Sequence, residues 1–332
     1  MKNRPYIICE TACAHDGSIS NLKVLIKKAI SSGAKAIQLQ IWEPENIMTK
    51  NHTDFKLLKK LEIKKRKWIE IISFIKSFKK KIDIIACIYD LEAFKFCKDN
   101  NIKHYKIHSS DLLNEKLIRE ISKNNFILNL SIGGSKLSEI QKSISWFKNK
   151  KNITLMYGYQ LFPTPITNLN LQKLVYLKKK FKTKVGYQDH TDPNTIDAYT
   201  ICATVVGLGI NIIEKHINID RSKKGTDSQA ALNVDEFKNF VKTLNNCFIS
   251  IGKADFKKIT KDEKQYRKYA KKIIVAKKKI FKDDILNFKN ICFKRSINMG
   301  IDIENVEKII NRRAVKDIDK DQALNFSFIK NA

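Results

Sequence analysis

Two histidines with acidic neighbours are the residues of this sequence best suited to chemistry. His190 lies within residues 186–191 (GYQDHT) and His216 within residues 214–217 (EKHI), each at the end of a short apolar run. Neutral imidazole is the commonest side-chain ligand of transition metals, and a catalytic ion needs an open position beside its protein ligands. One buried histidine alone is more often a hydrogen-bonded structural residue. The pair, each near a carboxylate, favours a metal site.

The elements that must position these histidines are short β-branched runs that alternate with amphipathic segments. This alternation is typical of repeated strand–helix units with a parallel sheet. Eight strands are predicted and argue for a closed (β/α)8 TIM barrel: residues 6–10, 36–41, 82–87, 105–107, 127–131, 154–157, 184–186 and 211–214. The helices are predicted at residues 22–30, 68–78, 91–97, 117–121, 137–147, 171–181, 195–206 and 234–247.

In such a barrel the chemistry lies at the carboxyl ends of the strands. Most residues there are polar in this chain: Glu10, His15, Gln38, Gln40, Tyr89, Asp90, Lys106, Ser109, Asp111, Ser131, Tyr157 and Gln160, with His190 and His216 last. A single polar strand end is ordinary loop chemistry, but the convergence of so many on one face predicts an active site.

Composition excludes several classes of protein. The chain has 332 residues, 43% of them hydrophobic, which suffices for one large domain and a small one. It contains no apolar run of the roughly 20 residues that a membrane span needs. The first strand begins after only five residues, which leaves no room for a signal peptide. With seven scattered cysteines and no Cys-x-x-Cys pair, we expect a cytoplasmic protein without a disulfide framework.

The formal charge of +30 raises the question of nucleic-acid binding. The lysines are spread along the chain in pairs and triples, such as residues 79–81, 178–180 and 277–279. No basic stripe interleaved with exposed aromatics is evident. We therefore expect the excess lysines on solvated helix faces and no nucleic-acid partner, although the positive field would attract anionic substrates.

Three segments are predicted along the chain, a barrel, a charged helical connector and a small β-rich domain: residues 1–252, 253–272 and 273–332. The small domain contains a weak repeat, in which residues 274–286 are echoed by residues 313–324. About 60 residues is near the lower limit for independent folding. We therefore expect this domain to dock on another surface.

Six short motifs occur along the chain in a fixed order: residues 8–10 with His15 and Gly17, 106–109 (KIHS), 162–165 (FPTP), 186–191 (GYQDHT), 214–217 (EKHI) and 225–227 (GTD). Together they resemble the sialic acid synthases, including the legionaminic and pseudaminic acid synthases. The resemblance covers nearly the whole chain, and the terminal repeat resembles the antifreeze-like (SAF) domain of that family. It implies a homodimer in which the SAF domain reaches over the active site of the partner subunit.

The resemblance also implies an activity. These synthases condense phosphoenolpyruvate with an N-acetylated amino sugar, here N-acetylmannosamine or a related hexosamine, to give a nonulosonic acid and phosphate. The vinyl carbon of phosphoenolpyruvate attacks the aldehyde of the open-chain sugar, water adds at the adjacent carbon, and phosphate leaves by carbon–oxygen cleavage.

Residue roles are implied by matching motif to motif. His190 and His216 match the ligands of a divalent metal, usually Mn²⁺, with Mg²⁺ or Co²⁺ as alternatives. Glu10 and Asp227 would handle protons as the catalytic residues. The other matched positions would bind substrate. The phosphoenolpyruvate would be bound by Lys106, Ser109, Ser131 and Gln160, and the sugar by Gln40, Asp111 and Asp227. The small domain would supply Arg295 to the site.

The phosphate half of the predicted site departs from the family pattern. Gln38 stands where most members have a lysine, and Cys87, Gln160 and Gln188 stand at positions that are usually small hydroxyl or amide residues. Ala14 replaces an asparagine in the first loop. Losing one cation that binds phosphate would cost about 1.5 to 3 kcal/mol.

Two other functions fit the same residues. A barrel aldolase or lyase would use Lys106 to form a Schiff base, which requires a lysine whose pKa is depressed. A non-catalytic paralogue that binds sugar or nucleic acid would keep the barrel, but it would have no need of His190, His216 and Glu10.

Overall fold

The computed structural model describes residues 4–124 and 126–330. It divides into two compact units, Met1–Gly252 and Lys253–Ala332. Residues 1–3, 125, 331 and 332, which the predicted domains include, lie outside the described part.

The first unit is a closed parallel barrel, which confirms the predicted (β/α)8 fold. Each strand pairs with the next, and β1 also pairs with β8, which closes the sheet. In the described residues the barrel strands are β1 (Tyr6–Glu10), β2 (Ala36–Ile41), β3 (Asp83–Ile88), β4 (His104–Ile107), β5 (Ile127–Ser131), β6 (Ile153–Tyr157), β7 (Lys184–Asp189) and β8 (Ile212–Asn218). A short further strand, β9 (Leu232–Asn233), pairs with the end of β8.

Helices lie between the strands, and their apolar faces pack on the outside of the barrel in one large buried cluster. The helices of this unit are α1 (Ile19–Ser32), α2 (Pro44–Ile47), α3 (Phe55–Leu61), α4 (Lys65–Lys76), α5 (Leu91–Asp99), α6 (Glu115–Ser122), α7 (Leu137–Ser145), α8 (Gln172–Phe181), α9 (Asp197–Gly207) and α10 (Val234–Ile251). The sequence did not predict α2 and α3. Each is shorter than two turns, too short for a periodic apolar signal.

An apolar floor closes the inside of the barrel. Ile8, Ala36, Ile85 and Met156 form a separate buried cluster there. A Cβ atom at residue 186 would lie 2.4 Å from Met156 Sδ, so a side chain there would force Met156 to move. Strand side chains alternate between faces, so the residue two positions further along faces the same interior one layer higher. The layer above the floor consists of the residues two positions after the floor residues. It is largely polar and includes Glu10, Gln38, Cys87, Gln188 and Glu214.

The last two barrel strands extend beyond their predicted ends. The predicted strands stop at Gly186 and Glu214, whereas β7 continues to Asp189 and β8 to Asn218. The sequence suggested loops because the residues turn polar. In the barrel these side chains find hydrogen-bond and ionic partners, so the polar residues remain in the sheet.

The second unit is small and rich in β-structure. It begins with α11 (Lys261–Ala270), whose start is capped by Thr260, and continues with β10 (Lys272–Ala276), which pairs antiparallel with β11 (Ile291–Arg295). Isolated bridges join the two copies of the predicted repeat, for example Ile280 with Ile318. The unit has its own buried core, which includes Ile274, Leu286, Ile291, Ile309 and Leu324.

Among the helices that the structure describes, none has both the length and the apolar character needed to cross a membrane.

Candidate active site

Lys106 lies in the polar layer of the barrel and is held by two carboxylates. Its Nζ atom lies 2.6 Å from Glu214 Oε1 and 3.8 Å from Glu10 Oε2, and no side chain of the three is more than 4% exposed. Burial alone would lower the pKa of Lys106, but attraction to Glu214 and Glu10 outweighs this effect and raises the pKa. The ammonium group therefore stays charged.

Glu214 is also fixed from the other side by a short chain of hydrogen bonds. The Ser131 hydroxyl donates to Gln188 Oε1 at 2.7 Å, and Gln188 Nε2 donates to Glu214 Oε1 at 2.9 Å. One carboxylate oxygen thus accepts from both Gln188 and Lys106.

Glu10 ends β1 and lies in register between Gln38 of β2 and His216 of β8. Its Oε1 atom accepts a hydrogen bond from the Ala12 backbone N–H at 2.6 Å. Burial raises the pKa of Glu10 more than the charge of Lys106 lowers it, to about 8. The carboxyl group therefore holds a proton at neutral pH.

Several atoms of this layer have no hydrogen-bond partner within the described protein. They are Glu10 Oε2, Glu214 Oε2 and both amide atoms of Gln38, all buried. Buried polar atoms in proteins almost always have a partner, either protein or water. Glu10 and Glu214 lie beside Lys106, and Gln38 lies in register with Glu10, so these free atoms could bind a polar ligand in the same layer.

The two predicted metal ligands lie together at the mouth of the barrel. The ring centroids of His190 and His216 are 5.3 Å apart, and Phe162 packs against both rings. Burial lowers the pKa of His190 to about 4, and burial together with the charges around it lowers that of His216 well below its usual value. Both imidazoles are therefore neutral at pH 7, which is the form that binds metals.

These histidines fit a divalent metal. His190 Nδ1 lies 2.9 Å from the Tyr159 carbonyl oxygen. A proton on Nδ1 would be donated to that carbonyl and would leave Nε2 free as a ligand, the usual arrangement for a metal-binding histidine. Across residues 4–124 and 126–330, no group of three or more His, Cys, Asp or Glu residues is arranged to hold an ion.

A second ion pair lies on the outer face of the same two strands. Lys215 Nζ is 2.5 Å from Asp189 Oδ2, and both side chains are fully buried. Asp189 also accepts hydrogen bonds from the hydroxyls of Tyr187 and Thr191. Because Asp189 precedes His190 and Lys215 precedes His216, the pair fixes the relative position of the two imidazoles.

We expect Lys215→Met to lower the free energy of unfolding of the barrel by about 3 to 5 kcal/mol, because it leaves Asp189 as a buried charge without a counter-ion. Urea denaturation measures the change. The matched control is Lys123→Met, which removes an exposed ion pair with Glu120 and should leave stability unchanged. Equal midpoints for both variants would contradict this role of the pair.

The predicted sugar-binding residues Gln40 and Asp111 line one cavity of about 780 Å³ at the end of the barrel. The Tyr89 hydroxyl donates to Gln40 Oε1 at 3.3 Å. Ser109 begins the short 3₁₀ turn that ends at Asp111, and its neighbour Ser110 lines the cavity.

The other predicted residues are spread more widely. Asp227 lines a second cavity of about 650 Å³, and burial raises its pKa. Gln160 packs against Gly133, where a Cβ atom would lie 2.4 Å from Gln160 Nε2. Arg295 is exposed at the end of β11, in the second unit.

The sequence analysis did not assign Glu214 to the site and treated Gln188 only as a departure. Both face the interior because they follow the floor positions 212 and 186 by two residues. That spacing was readable from the sequence once the correct strand register was known.

Comparison with known proteins gives a consistent result. The model of the NeuB family matches residues 25–256. The chain is 30% identical over 336 residues to the N,N'-diacetyllegionaminic acid synthase of Campylobacter jejuni, covering 96% of this chain and 98% of that protein. It is 29% identical over 335 residues to a pseudaminic acid synthase of the same species, covering 96% and 95%.

Solved structures show the same fold. The crystal structure of the N-acetylneuraminic acid (sialic acid) synthetase of Leptospira borgpetersenii, in complex with citrate, is similar with a TM-score of 0.72 and 26% identity, covering 80% of this chain and 92% of that one. A putative spore coat polysaccharide biosynthesis protein E of Chromobacterium violaceum has a TM-score of 0.80, covering 99% and 100%, but at 17% identity it shows the fold alone.

Proposed function

Because this chain belongs to the NeuB family, we propose that it is a synthase that condenses phosphoenolpyruvate with an N-acetylated amino sugar to give a nonulosonic acid and phosphate. The observation that carries the proposal is the convergence of Lys106, Glu10 and the two histidines at one end of the barrel. The relatives named as legionaminic and pseudaminic acid synthases match nearly the whole chain, which supports the same class of reaction.

Lys106 would bind the anionic substrate. Its ammonium group is charged and buried, and an anion that approaches it competes with the carboxylate of Glu214. A protonated Glu10 does not compete, which leaves Glu214 as the internal counter-ion. Gln188 and Ser131 hold Glu214 in place, so Lys106 can turn toward the anion without leaving the layer.

Glu10 would supply a proton. Attack by the vinyl carbon of phosphoenolpyruvate converts the sugar aldehyde oxygen into a developing alkoxide, which needs a proton. Burial raises the pKa of the Glu10 carboxyl group, and its Oε2 atom is buried without a hydrogen-bond partner in the described protein. A buried acid with a raised pKa is suited to this transfer. Asp227, whose pKa burial also raises, is the second candidate.

His190 and His216 would hold a divalent metal, Mn²⁺ by preference, with Mg²⁺ or Co²⁺ as alternatives. When bound, such an ion polarises a carbonyl oxygen and orients water. The phenyl ring of Phe162 covers both imidazoles, so that side chain would exclude bulk water from this part of the site.

A Schiff-base aldolase is less well supported. A lysine nucleophile needs a lowered pKa, but attraction to Glu214 and Glu10 raises that of Lys106.

The direct test is incubation of the full chain with phosphoenolpyruvate, Mn²⁺ and a panel of N-acetylated hexosamines. Phosphate release and the mass of a product containing both carbon skeletons would establish the activity. Reactions without sugar, and with metal chelated, are the controls. Sugar-independent phosphate release would reject the condensation.

Gln38→Lys tests the altered phosphate half of the site. Gln38 is fully buried, lies in register with Glu10, and has two unpartnered amide atoms. A lysine there should strengthen phosphoenolpyruvate binding by about 1 to 2 kcal/mol, a five- to thirty-fold fall in KM. The KM for phosphoenolpyruvate is measured for the wild type and the variant at two salt concentrations.

The control for charge alone is Ile69→Lys, on an exposed position of α4. It should change KM only through the long-range field, and this effect should vanish at high salt. Unchanged KM for Gln38→Lys at both salts would mean that residue 38 does not face the anion.

We also propose that the second unit is a SAF domain that supplies Arg295 to the partner subunit of a homodimer. Arg295→Ala should lower kcat/KM about tenfold or more through loss of a charged contact. An equal mixture of this variant with His216→Ala should recover about a quarter of wild-type activity after subunit exchange, because half the dimers then hold one complete site. No recovery would place Arg295 in the site of its own subunit, and an unchanged kcat/KM for Arg295→Ala would place it outside the site.

A further inference from the structure

The segment of residues 159–168, between β6 and α8, holds His190 at two points. The Tyr159 carbonyl oxygen lies 2.9 Å from Nδ1 of the imidazole. Further along the segment, the Thr164 backbone N–H donates to the His190 carbonyl oxygen at 2.7 Å. The ring and the backbone of one proposed metal ligand therefore both contact this segment, so its conformation sets the position of the imidazole.

Thr164 anchors this segment to the barrel. Of residues 159–168, all of which the structure describes, it is the only buried one. Leu161 and Ile166 are half-exposed, so hydrogen bonds, rather than burial of these side chains, hold the segment. The Thr164 hydroxyl donates to the Leu161 carbonyl oxygen at 2.6 Å and lies 3.4 Å from that of Tyr159. Because the shorter bond takes the single hydroxyl proton, the Tyr159 carbonyl stays available to the imidazole.

The turn that the Thr164 hydroxyl closes also carries Phe162, whose ring centroid lies 4.1 Å from that of His190. Just before the segment, Gly158 approaches β7 closely, since a Cβ atom there would lie 2.4 Å from the Gln188 carbonyl oxygen. The chain therefore enters the segment directly against the strand that precedes His190. A change in the turn would displace both the carbonyl that contacts the imidazole and the phenyl ring that packs on it.

We propose that Thr164 is a positioning residue for His190. Its hydroxyl holds the turn so that the Tyr159 carbonyl accepts a hydrogen bond from Nδ1–H, and the neutral imidazole keeps Nε2 free for a metal. The nitrogen of a neutral histidine that binds metal is set by the hydrogen bond that the other nitrogen makes. The consequences for metal binding and turnover rest on the proposed function, whereas the tautomer of His190 is independent of it.

The tautomer is measured in the metal-free full chain. Long-range ¹H–¹⁵N correlation spectra at neutral pH distinguish the two neutral tautomers, and comparison with His190→Ala assigns the His190 signals among the six histidines. We expect Nδ1–H in the wild type. Thr164→Val, which has nearly the shape of threonine but no hydroxyl, should shift the population toward Nε2–H. A wild-type His190 with its proton on Nε2 overturns the inference, whether or not any variant folds.

Thr164→Val should also bind manganese about 10- to 100-fold more weakly than the wild type, as is typical when a contact that orients a metal ligand is lost. At a fixed, subsaturating manganese concentration turnover should fall with it, while the KM for phosphoenolpyruvate is unchanged. Thr164→Ser keeps the hydroxyl and should restore both the tautomer and the affinity. The matched control is Thr204→Val, which removes an exposed hydroxyl that donates to the Thr200 carbonyl oxygen. Circular dichroism checks the fold, and Thr164→Ala removes the same hydroxyl if valine is not accommodated.

Failure of the inference and failure of the proposed function are distinguishable. A changed tautomer and weaker manganese binding in Thr164→Val, without condensation by the wild type, support the inference and overturn the condensation. Condensation by the wild type, with the tautomer and the manganese affinity unchanged in Thr164→Val, upholds the function and overturns the inference. A Thr164→Ser variant that behaves like Thr164→Val also overturns it, because the hydroxyl would then not be the cause. A wild type that neither binds manganese nor condenses the substrates, with an unchanged tautomer in Thr164→Val, overturns both.

Discussion

Replacing His190 or His216 by alanine should remove metal binding and lower turnover by about a thousandfold or more, while the barrel remains folded. The two imidazoles lie side by side at the mouth of the barrel. With one of them gone, the pair of imidazoles that would hold the ion is broken. A metal that polarises a carbonyl supplies several kcal/mol of transition-state stabilisation, and each 1.4 kcal/mol is about tenfold in rate.

Manganese binding to the metal-free proteins, followed by electron paramagnetic resonance, measures the first effect independently of activity. Circular dichroism checks the fold. The matched control is His104→Gln, at the start of β4 and therefore at the opposite end of the barrel, where residues serve stability rather than chemistry. A double His190, His216 variant that binds manganese like the wild type would contradict the assignment.

Lys106→Met should lower kcat/KM for phosphoenolpyruvate by about 100- to 1,000-fold. The change removes the buried cation of the polar layer and leaves Glu214 without a counter-ion. Breaking a buried ion pair in this way also lowers the free energy of unfolding by about 3 to 5 kcal/mol. Thermal unfolding separates a loss of stability from a loss of catalysis.

Lys106→Arg is the matched variant, because it retains the charge but cannot form a Schiff base. If Lys106 acts as a cation, the Arg variant should have a kcat/KM at least about tenfold higher than that of the Met variant, because arginine keeps the charged hydrogen bonds. Borohydride with pyruvate should then leave the wild-type protein unlabelled. A trapped adduct at Lys106, with the Arg variant as inactive as the Met variant, would establish the aldolase alternative instead.

Gln188 has a structural role that the sequence did not predict. The sequence presents this residue as a departure from the family pattern. In the structure its amide bridges Ser131 and Glu214, so it supports the counter-ion of Lys106 rather than leaving a gap. The predicted effects of Gln38→Lys and Lys106→Met are therefore linked, because both substitutions alter the charge balance of the same layer.

The sequence by itself determined the barrel and the face on which its polar strand ends lie. Strand–helix alternation is a local property, written in the spacing of apolar residues, so the strands could be located without tertiary information. The polar residues after those strands followed from the same reading, because all strands of a parallel barrel end on one face.

Only the tertiary structure decided which polar residues meet. Lys106 and Glu214 are 108 residues apart, and their contact depends on barrel closure and on a register that no local pattern encodes. The sequence did not predict the true ends of β7 and β8 for the same reason. Polar residues remain in a strand when the folded barrel supplies hydrogen-bond and ionic partners. The residues that line the cavity of about 780 Å³ likewise come from separate loops, whose approach is set by packing and not by sequence spacing.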